Sequence, residues 1–173
     1  WDKQAIAQEE VEKGVDERGT KFNFKNASLV AIDPKTGHIV SMVGSKDFFD
    51  TENDGQVNVS IRPRQPGSSF KPIVYAAGFI KGYTPETTLW DVNTVFKTDI
   101  KNYEPKNYDL QEHGPVSVRK ALQGSLNIPA VKMLYLVGVG RVLDFAEQLG
   151  YTTLSDRSRF GLVHLLDNTA RNA

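Results

Sequence analysis

One stretch of the sequence decides how this chain folds, Arg64-Gln65-Pro66-Gly67-Ser68-Ser69-Phe70-Lys71-Pro72. Residues 73–80 continue it with apolar side chains, so the pattern predicts a buried helix over residues 68–81. Lys71 is the only charged residue between Ser68 and Ile80. The spacing of three residues places Ser68 and Lys71 on one face of that helix, with their β-carbons about 5–6 Å apart. Pro66-Gly67 predicts a tight turn that orients Ser68.

Ser68 and Lys71 have the chemistry of a nucleophile and its base. A serine hydroxyl becomes nucleophilic when a base takes its proton, and a lysine in an apolar environment has a lowered pKa and can be that base. Unbonded N–H groups at the helix N-terminus are expected beside Ser68, where they could stabilise a tetrahedral intermediate. Pro72 has no N–H for the carbonyl of Ser68, which predicts a distorted first turn. The alternative is that Ser68 caps the helix and Lys71 extends to solvent.

A second polar group, Ser125-Leu126-Asn127, lies between two predicted helices. From such a break a hydroxyl and an amide can both project into a cleft, so Ser125 and Asn127 could form a second wall of the site. The alternative is that both residues cap helices, with Asn127 at the start of the helix that opens with Ile128-Pro129. The two roles are compatible with each other.

The rest of the pattern predicts an α+β fold. Residues 27–43 form two strand-like runs around a turn, and such a hairpin needs partners that the rest of the sequence does not offer. Before it, residues 2–18 predict an amphipathic helix with Ile6, Val11 and Val15 on its apolar side. Residues 86–115 are expected to have little regular structure. Further helices are predicted over residues 116–123, 128–137 and 139–149.

Composition excludes several classes of protein. The 21 basic and 21 acidic residues cancel, which argues against nucleic acid as a partner. No apolar run reaches the roughly 18 residues of a spanning helix, and the absence of cysteine excludes a thiol nucleophile. We expect no metal and no cofactor, because no His or carboxylate cluster has ligand spacing, and assign His38, His113 and His164 to structural positions. Lys35-Thr36-Gly37 is assigned to the hairpin turn.

Residues 64–72 and the later run Ser125-Leu126-Asn127-Ile128-Pro129-Ala130-Val131 together resemble two motifs of the transpeptidase domain of class A, bifunctional penicillin-binding proteins. The resemblance extends from about residue 27 to residue 150. It implies the fold that penicillin-binding proteins share with serine β-lactamases, an antiparallel sheet with a helical lobe, incomplete here. In that fold the sheet packs against the helix that starts at Ser68, and the site lies between the sheet and the helical lobe.

By this resemblance Ser68 is the nucleophile that attacks the penultimate D-Ala carbonyl of a peptidoglycan stem peptide, and Lys71 is its base. Ser125 would relay a proton to the leaving group, and Asn127 would bind the substrate backbone. An amine of a neighbouring stem peptide would then form the cross-link. The implied partners are the D-Ala-D-Ala stem peptide and β-lactam antibiotics, which would acylate Ser68. The implied location is extracytoplasmic, at the periplasmic face of the cytoplasmic membrane, with membrane contact only through an N-terminal anchor absent from this sequence.

The sequence departs from the family pattern in one important respect. A Lys-Thr/Ser-Gly motif after Asn127 is absent, and with it an oxyanion donor and a cationic partner for the substrate carboxylate. We therefore expect a truncated transpeptidase domain over residues 1–173, in which residues are missing between Leu162 and Val163. It is expected to begin with a linker helix from an absent glycosyltransferase domain (residues 1–24) and a hairpin (residues 27–43). A nucleophile helix (residues 68–81), a helical lobe (residues 115–154) and a fragmentary tail (residues 155–173) are expected to follow. The alternative functions are a D,D-carboxypeptidase, a β-lactam-binding sensor and an inactive fragment.

Overall fold

The computed structural model describes residues 2–97, 102–154, 156–157, 160–162 and 166. The chain divides into two compact units, Trp1–Pro63 and Arg64–Ala173. Most of the tail expected over residues 155–173 lies outside the described residues, as does the gap expected after Leu162. Within the described ranges, every helix is too short or too polar to cross a lipid bilayer.

The first unit consists of a long helix and the predicted hairpin. Helix α1 (Asp2–Phe22) precedes strands β1 (Leu29–Ile32) and β2 (Ile39–Val43), which pair antiparallel with Leu29 opposite Val43. The connection turns at Gly37, whose φ of 72° is in the left-handed region that favours glycine. Lys35-Thr36-Gly37 therefore belongs to a hairpin turn, as predicted.

Helix α1 supports the hairpin. Its buried residues are spaced four apart, and Ala7 and Val11 pack with Val43 of β2. The side-chain amide of Gln4 both accepts from the N–H and donates to the carbonyl of Met42, at 3.0 Å each. Helix α1 is thus a partner that was not expected from the sequence, while the expected incomplete sheet is confirmed, because no third strand among the described residues joins β1 and β2. The predicted apolar stripe is also wrong at Ile6, which is 59% exposed because it lies one residue, a rotation of about 100°, off the buried line.

The second unit is built around two helices in close contact. Helix α2 (Lys71–Ile80) packs against α4 (Asn127–Val137), which is followed by α5 (Val139–Gln148). A β-carbon added to Gly78 of α2 would lie 2.7 Å from Sδ of Met133, so glycine allows this close approach of α2 and α4. The predicted helices over residues 128–137 and 139–149 are confirmed, with ends that differ by a single residue.

A second strand pair was not predicted. Strands β3 (Thr88–Asp91) and β4 (Gly114–Ser117) pair antiparallel, with Asp91 opposite Gly114, in a region expected to have little regular structure. Strand β3 alternates exposed and buried residues, but one of its two inward residues is Asp91, so it lacks the apolar alternation that identifies a strand. Helix α3 (Val118–Gln123) starts two residues later than predicted, because Ser117 ends β4 and caps the helix.

Candidate active site

Ser68 lies in a 3₁₀ turn, Gly67–Phe70, directly before helix α2. The N–H of Lys71 donates to the carbonyl of Ser68 in a bond typical of a 3₁₀ turn. The α-helical bond to that carbonyl would come from Pro72, which has no N–H. The predicted distortion at Ser68 is therefore confirmed, whereas the predicted helix start at residue 68 is wrong because the α-helix begins at Lys71. Gly67 is buried with a φ of 53°, which confirms the tight turn before Ser68.

The Ser68 side chain is exposed, and its hydroxyl forms no hydrogen bond with any described residue. The neighbouring Ser69 differs, because its hydroxyl donates to the carbonyl of Pro66 at 2.6 Å. The N–H of Ser69 also donates to that carbonyl, at 3.3 Å. The expected unbonded N–H groups are thus not found at Ser69 and Lys71, because the 3₁₀ turn uses both. Ser68 is left as an accessible hydroxyl on a structured turn.

Lys71 is buried, with 1% of its surface exposed. Its ammonium nitrogen donates to the Ser125 carbonyl at 2.5 Å, to Oδ1 of Asn127 at 2.7 Å and to the Ser125 hydroxyl at 3.1 Å. The structure therefore brings three of the predicted site residues together, and it excludes the alternative that Lys71 extends to solvent. A direct hydrogen bond between Lys71 and Ser68, which their spacing allowed, is not formed.

The three oxygens around Lys71 are all neutral. No carboxylate of a described residue forms an ion pair with Lys71, so only these hydrogen bonds offset the loss of water around its charge. Burial lowers the pKa of Lys71 from 10.5 to about 8. A lysine with this pKa is partly unprotonated near neutral pH, which is what a general base requires.

Ser125 has an unusual backbone conformation. It lies between α3 and α4 with a φ of 50°, a left-handed conformation that costs a non-glycine residue about 1–2 kcal/mol. This conformation accompanies the contact of both its carbonyl and its hydroxyl with Lys71. It also ends α3, because the N–H groups of Ser125 and Leu126 donate to the carbonyls of Leu122 and Ala121, so the alternative that Ser125 completes the preceding helix holds beside its contact with Lys71.

Asn127 is the first residue of α4, and its side chain does not cap that helix. Its Oδ1 accepts from Lys71, and its Nδ2 donates to the carbonyl of Lys106 at 2.8 Å. The helix end is satisfied by Asn107 instead, whose Oδ1 accepts the backbone N–H of Asn127 at 2.8 Å. Asn107 is not among the residues predicted from the sequence, because its only visible signal is a polar residue in a loop. The alternative that the Asn127 side chain is a cap is therefore wrong.

The described residues contain no group of three or more His, Cys, Asp or Glu side chains placed to hold a metal ion. His113 contacts the carboxylates of Asp91 and Asp109, which is a structural environment as predicted. His164 lies outside the described residues.

The candidate site therefore consists of Lys71, Ser125 and Asn127, next to the turn that holds Ser68.

Residues 27–161 match the family model of the penicillin-binding protein transpeptidase domain. The chain belongs to this family. Penicillin-binding protein 1A of Aquifex aeolicus is 36% identical over 129 residues, which are 73% of this chain and 17% of that protein. The homologue from Pseudomonas aeruginosa is 32% identical over 127 residues, or 72% of this chain and 15% of that protein. This chain thus spans less than a fifth of the length of these curated relatives.

The fold agrees with solved penicillin-binding proteins. The crystal structure of penicillin-binding protein 1A from Haemophilus influenzae superposes with a TM-score of 0.70 at 27% identity, over 82% of this chain and 20% of that one. Penicillin-binding protein A from Mycobacterium tuberculosis, solved as a ceftriaxone acyl-enzyme complex, has a TM-score of 0.59 at 22% identity and covers 74% of this chain and 34% of that one. The fold is therefore that of penicillin-binding transpeptidases, as predicted.

Proposed function

We propose that this chain carries the acylating half of a serine D,D-transpeptidase that cross-links peptidoglycan stem peptides, with Ser68 as the nucleophile. The observation that carries the proposal is Lys71, a buried lysine that no described carboxylate pairs with, held by Ser125 and Asn127 three residues after an exposed serine hydroxyl. Burying an ammonium costs free energy even when neutral oxygens accept its hydrogen bonds, and a lysine with a purely structural role would not require this position. The same arrangement serves a base that must lose and regain a proton.

In the acylation step Ser68 Oγ attacks the carbonyl of the penultimate D-Ala. The new C–O bond forms as Lys71 takes the hydroxyl proton, and the C–N bond to the terminal D-Ala breaks when its nitrogen receives a proton. An amine of a neighbouring stem peptide then attacks the ester, releases Ser68 and completes the cross-link. β-Lactams offer the same acyl chemistry, and ceftriaxone forms an acyl-enzyme with penicillin-binding protein A of M. tuberculosis. We expect Ser68 to be acylated in the same way.

The donors and acceptors around Lys71 support a proton route through Ser125. As an ammonium, Lys71 has three N–H groups for the three oxygens that surround it. As a neutral amine it has two N–H groups and a lone pair, so one contact must change. The Ser125 hydroxyl makes the longest contact and is the only one of the three acceptors that can also donate. Ser125 can therefore exchange a proton with Lys71 and pass it to the leaving nitrogen.

In this proposal Asn127 contacts the substrate as well as Lys71. Its side chain is half-buried, and its Nδ2 donates to the carbonyl of Lys106. In the proposed function this N–H group turns to a carbonyl of the stem peptide, while Oδ1 remains on Lys71.

By the family resemblance, the protein acts at the periplasmic face of the cytoplasmic membrane and is attached by an N-terminal segment.

The test is intact-mass spectrometry of the chain after incubation with a β-lactam. We expect one stable adduct, which Ser68→Ala abolishes. The matched control is Ser69→Ala, because Ser69 lies next to Ser68 but its hydroxyl is bonded to Pro66. An adduct that survives Ser68→Ala would overturn the assignment of the nucleophile.

A second measurement separates the related functions. With a D-Ala-D-Ala peptide and an amine acceptor, a cross-linked product indicates a transpeptidase, free D-Ala with hydrolysed peptide indicates a carboxypeptidase, and a stable acyl-enzyme without turnover indicates a sensor. If the chain forms no adduct but a version extended through a downstream Lys-Thr-Gly strand does, this chain is an inactive portion of the enzyme. If neither reacts, the roles proposed for Ser68 and Lys71 are wrong.

A further inference from the structure

Asn107 is a buried asparagine whose side chain connects the start of α4 to strand β3. It is 3% exposed. Its Oδ1 accepts the backbone N–H groups of Asn127 at 2.8 Å and Ile128 at 3.3 Å, while its Nδ2 donates to the two carboxylate oxygens of Asp91 at 2.9 and 2.8 Å. The orientation of the amide is unambiguous, because N–H groups require its oxygen and a carboxylate requires its nitrogen.

This contact replaces the cap that α4 lacks. The residue before the helix, Leu126, forms no side-chain cap, so the first N–H groups of α4 have no partner from their own segment. Asn107 supplies the acceptor from 20 residues away in sequence. Both bonded N–H groups lie at the point where the chain leaves Ser125 and enters the helix. The Asn107 side chain is therefore bonded to the backbone at the start of α4, directly after Ser125, whose carbonyl contacts Lys71.

Asp91 holds Asn107 in place. Its side chain is fully buried, and besides Asn107 it accepts the backbone N–H of His113 at 3.1 Å and contacts the His113 ring at 2.5 Å. The hydrogen bond to Asp91 is the main reason that the pKa of His113 is raised, and Asp109 lies 3.1 Å from the other ring nitrogen. The buried carboxylate is thus bonded on each side, and the amide of Asn107 has a rigid partner.

We propose that Asn107, held by Asp91, is a positioning residue for the acylation reaction. It fixes the first turn of α4 so that the Ser125 carbonyl and the Asn127 side chain remain in contact with the Lys71 nitrogen. Asn107 touches neither Lys71 nor Ser68 in the described contacts, so its effect passes through the backbone of residues 125–128. The proposal rests on the proposed function of Ser68 and Lys71.

Three variants of the whole chain test this role. Asn107→Ala removes the acceptor for α4 together with the donor to Asp91 and to the carbonyl of Gln111. Asn107→Asp keeps the acceptor but places a second carboxylate against Asp91. Asn107→Asp combined with Asp91→Asn restores an amide–carboxylate pair with the donor on the other residue, and is the rescue variant, although the bond to the Gln111 carbonyl remains lost. Val142→Ala, which shortens a fully buried side chain of α5, is the control for a general loss of stability.

Two measurements report the positioning independently of catalysis. In Asn107→Ala we expect hydrogen exchange at the Asn127 and Ile128 amides to become faster by about tenfold relative to the centre of α4, because each loses its acceptor. We also expect NMR of ¹³Cε-labelled lysine to show Lys71 titrating at lower pH, since the acceptors that stabilise its ammonium move away. Val142→Ala should change neither, and the double variant should restore both.

The third measurement is the rate constant for acylation of Ser68 by a β-lactam. We expect Asn107→Ala to lower the limiting rate by about tenfold or more, with the double variant recovering most of the loss. If neither the wild-type chain nor the version extended through a downstream Lys-Thr-Gly strand is acylated, the proposed function fails, while hydrogen exchange and lysine titration still decide the positioning role. Unchanged exchange and Lys71 titration in Asn107→Ala would overturn the inference, as would a rate loss matched by Val142→Ala.

Discussion

Replacing Lys71 with methionine tests whether the buried nitrogen has the properties of a base. Burial lowers its pKa in the folded chain to about 8, whereas in the unfolded chain it has its ordinary value of 10.5. Between these values the unfolded chain binds more protons than the folded chain, so the free energy of unfolding rises with pH. The burial of the Lys71 charge therefore lowers the free energy of unfolding by its full amount at pH values below the folded-state pKa. This cost disappears as the pH rises through the unfolded-state pKa.

The size of the effect follows from the two pKa values. Their difference corresponds to about 3 kcal/mol in total, of which about 2 kcal/mol falls between pH 7 and pH 9.5. Lys71→Met has no such titration. In Lys71→Met the three oxygens lose their donor, which lowers the free energy of unfolding of the variant by an amount that does not depend on pH. The difference in unfolding free energy between wild type and Lys71→Met should thus shift by about 2 kcal/mol in favour of wild type over this range.

Urea denaturation at several pH values provides the measurement. In a Trp1→Phe background, fluorescence reports on Trp90, which lies in the same compact unit as Lys71. Lys120→Met, at an exposed position of α3, is the matched control for the loss of a lysine from the same compact unit. If the difference between wild type and Lys71→Met stays constant within about 0.5 kcal/mol, Lys71 titrates near its ordinary pKa, and its proposed role as a base loses its physical support.

Two further predictions concern the same site. The rate of Ser68 acylation should rise about tenfold per pH unit below pH 8 and level off above it, because the neutral fraction of Lys71 follows its lowered pKa. Stopped-flow kinetics with a chromogenic β-lactam measures this rate, and a profile that is flat from pH 6 to pH 9 would contradict the prediction. Ser125→Gly should be more stable to thermal unfolding than Ser125→Ala by about 1 kcal/mol. Both variants lose the hydroxyl, but only glycine adopts a φ of 50° without strain. Equal stabilities of the two variants would show that this conformation stores no strain.

The central segment of the site could be predicted from sequence because its determinants are local. Ser68 and Lys71 lie on one short segment, and the 3₁₀ turn follows from Pro72, whose missing N–H is a property of one residue. The hairpin turn and the helices α4 and α5 were predicted for the same reason. Their signals are glycines, prolines and apolar periodicity within a few residues.

The state of Lys71 was decided by tertiary structure. Its partners lie 54 and 56 residues away in sequence, and no local pattern states that a lysine on an apolar helix meets a serine carbonyl and an asparagine oxygen instead of solvent. The exposure of Ile6 and the burial of Asp91 have the same origin. In each case a neighbouring element determines which side of a helix or strand faces the interior.

The sequence by itself therefore determined the family of the chain and indicated the residues that we propose to react, since both depend on residue types at short spacing. Only the tertiary structure decided how the lysine is held and which buried side chains hold its partners. Asn107 and Asp91 carry no motif, and their importance arises from hydrogen bonds to the backbone of α4 and to each other across 16 residues of chain. Such bonds become visible only when the chain is folded, because they depend on distance in space and not on distance in sequence.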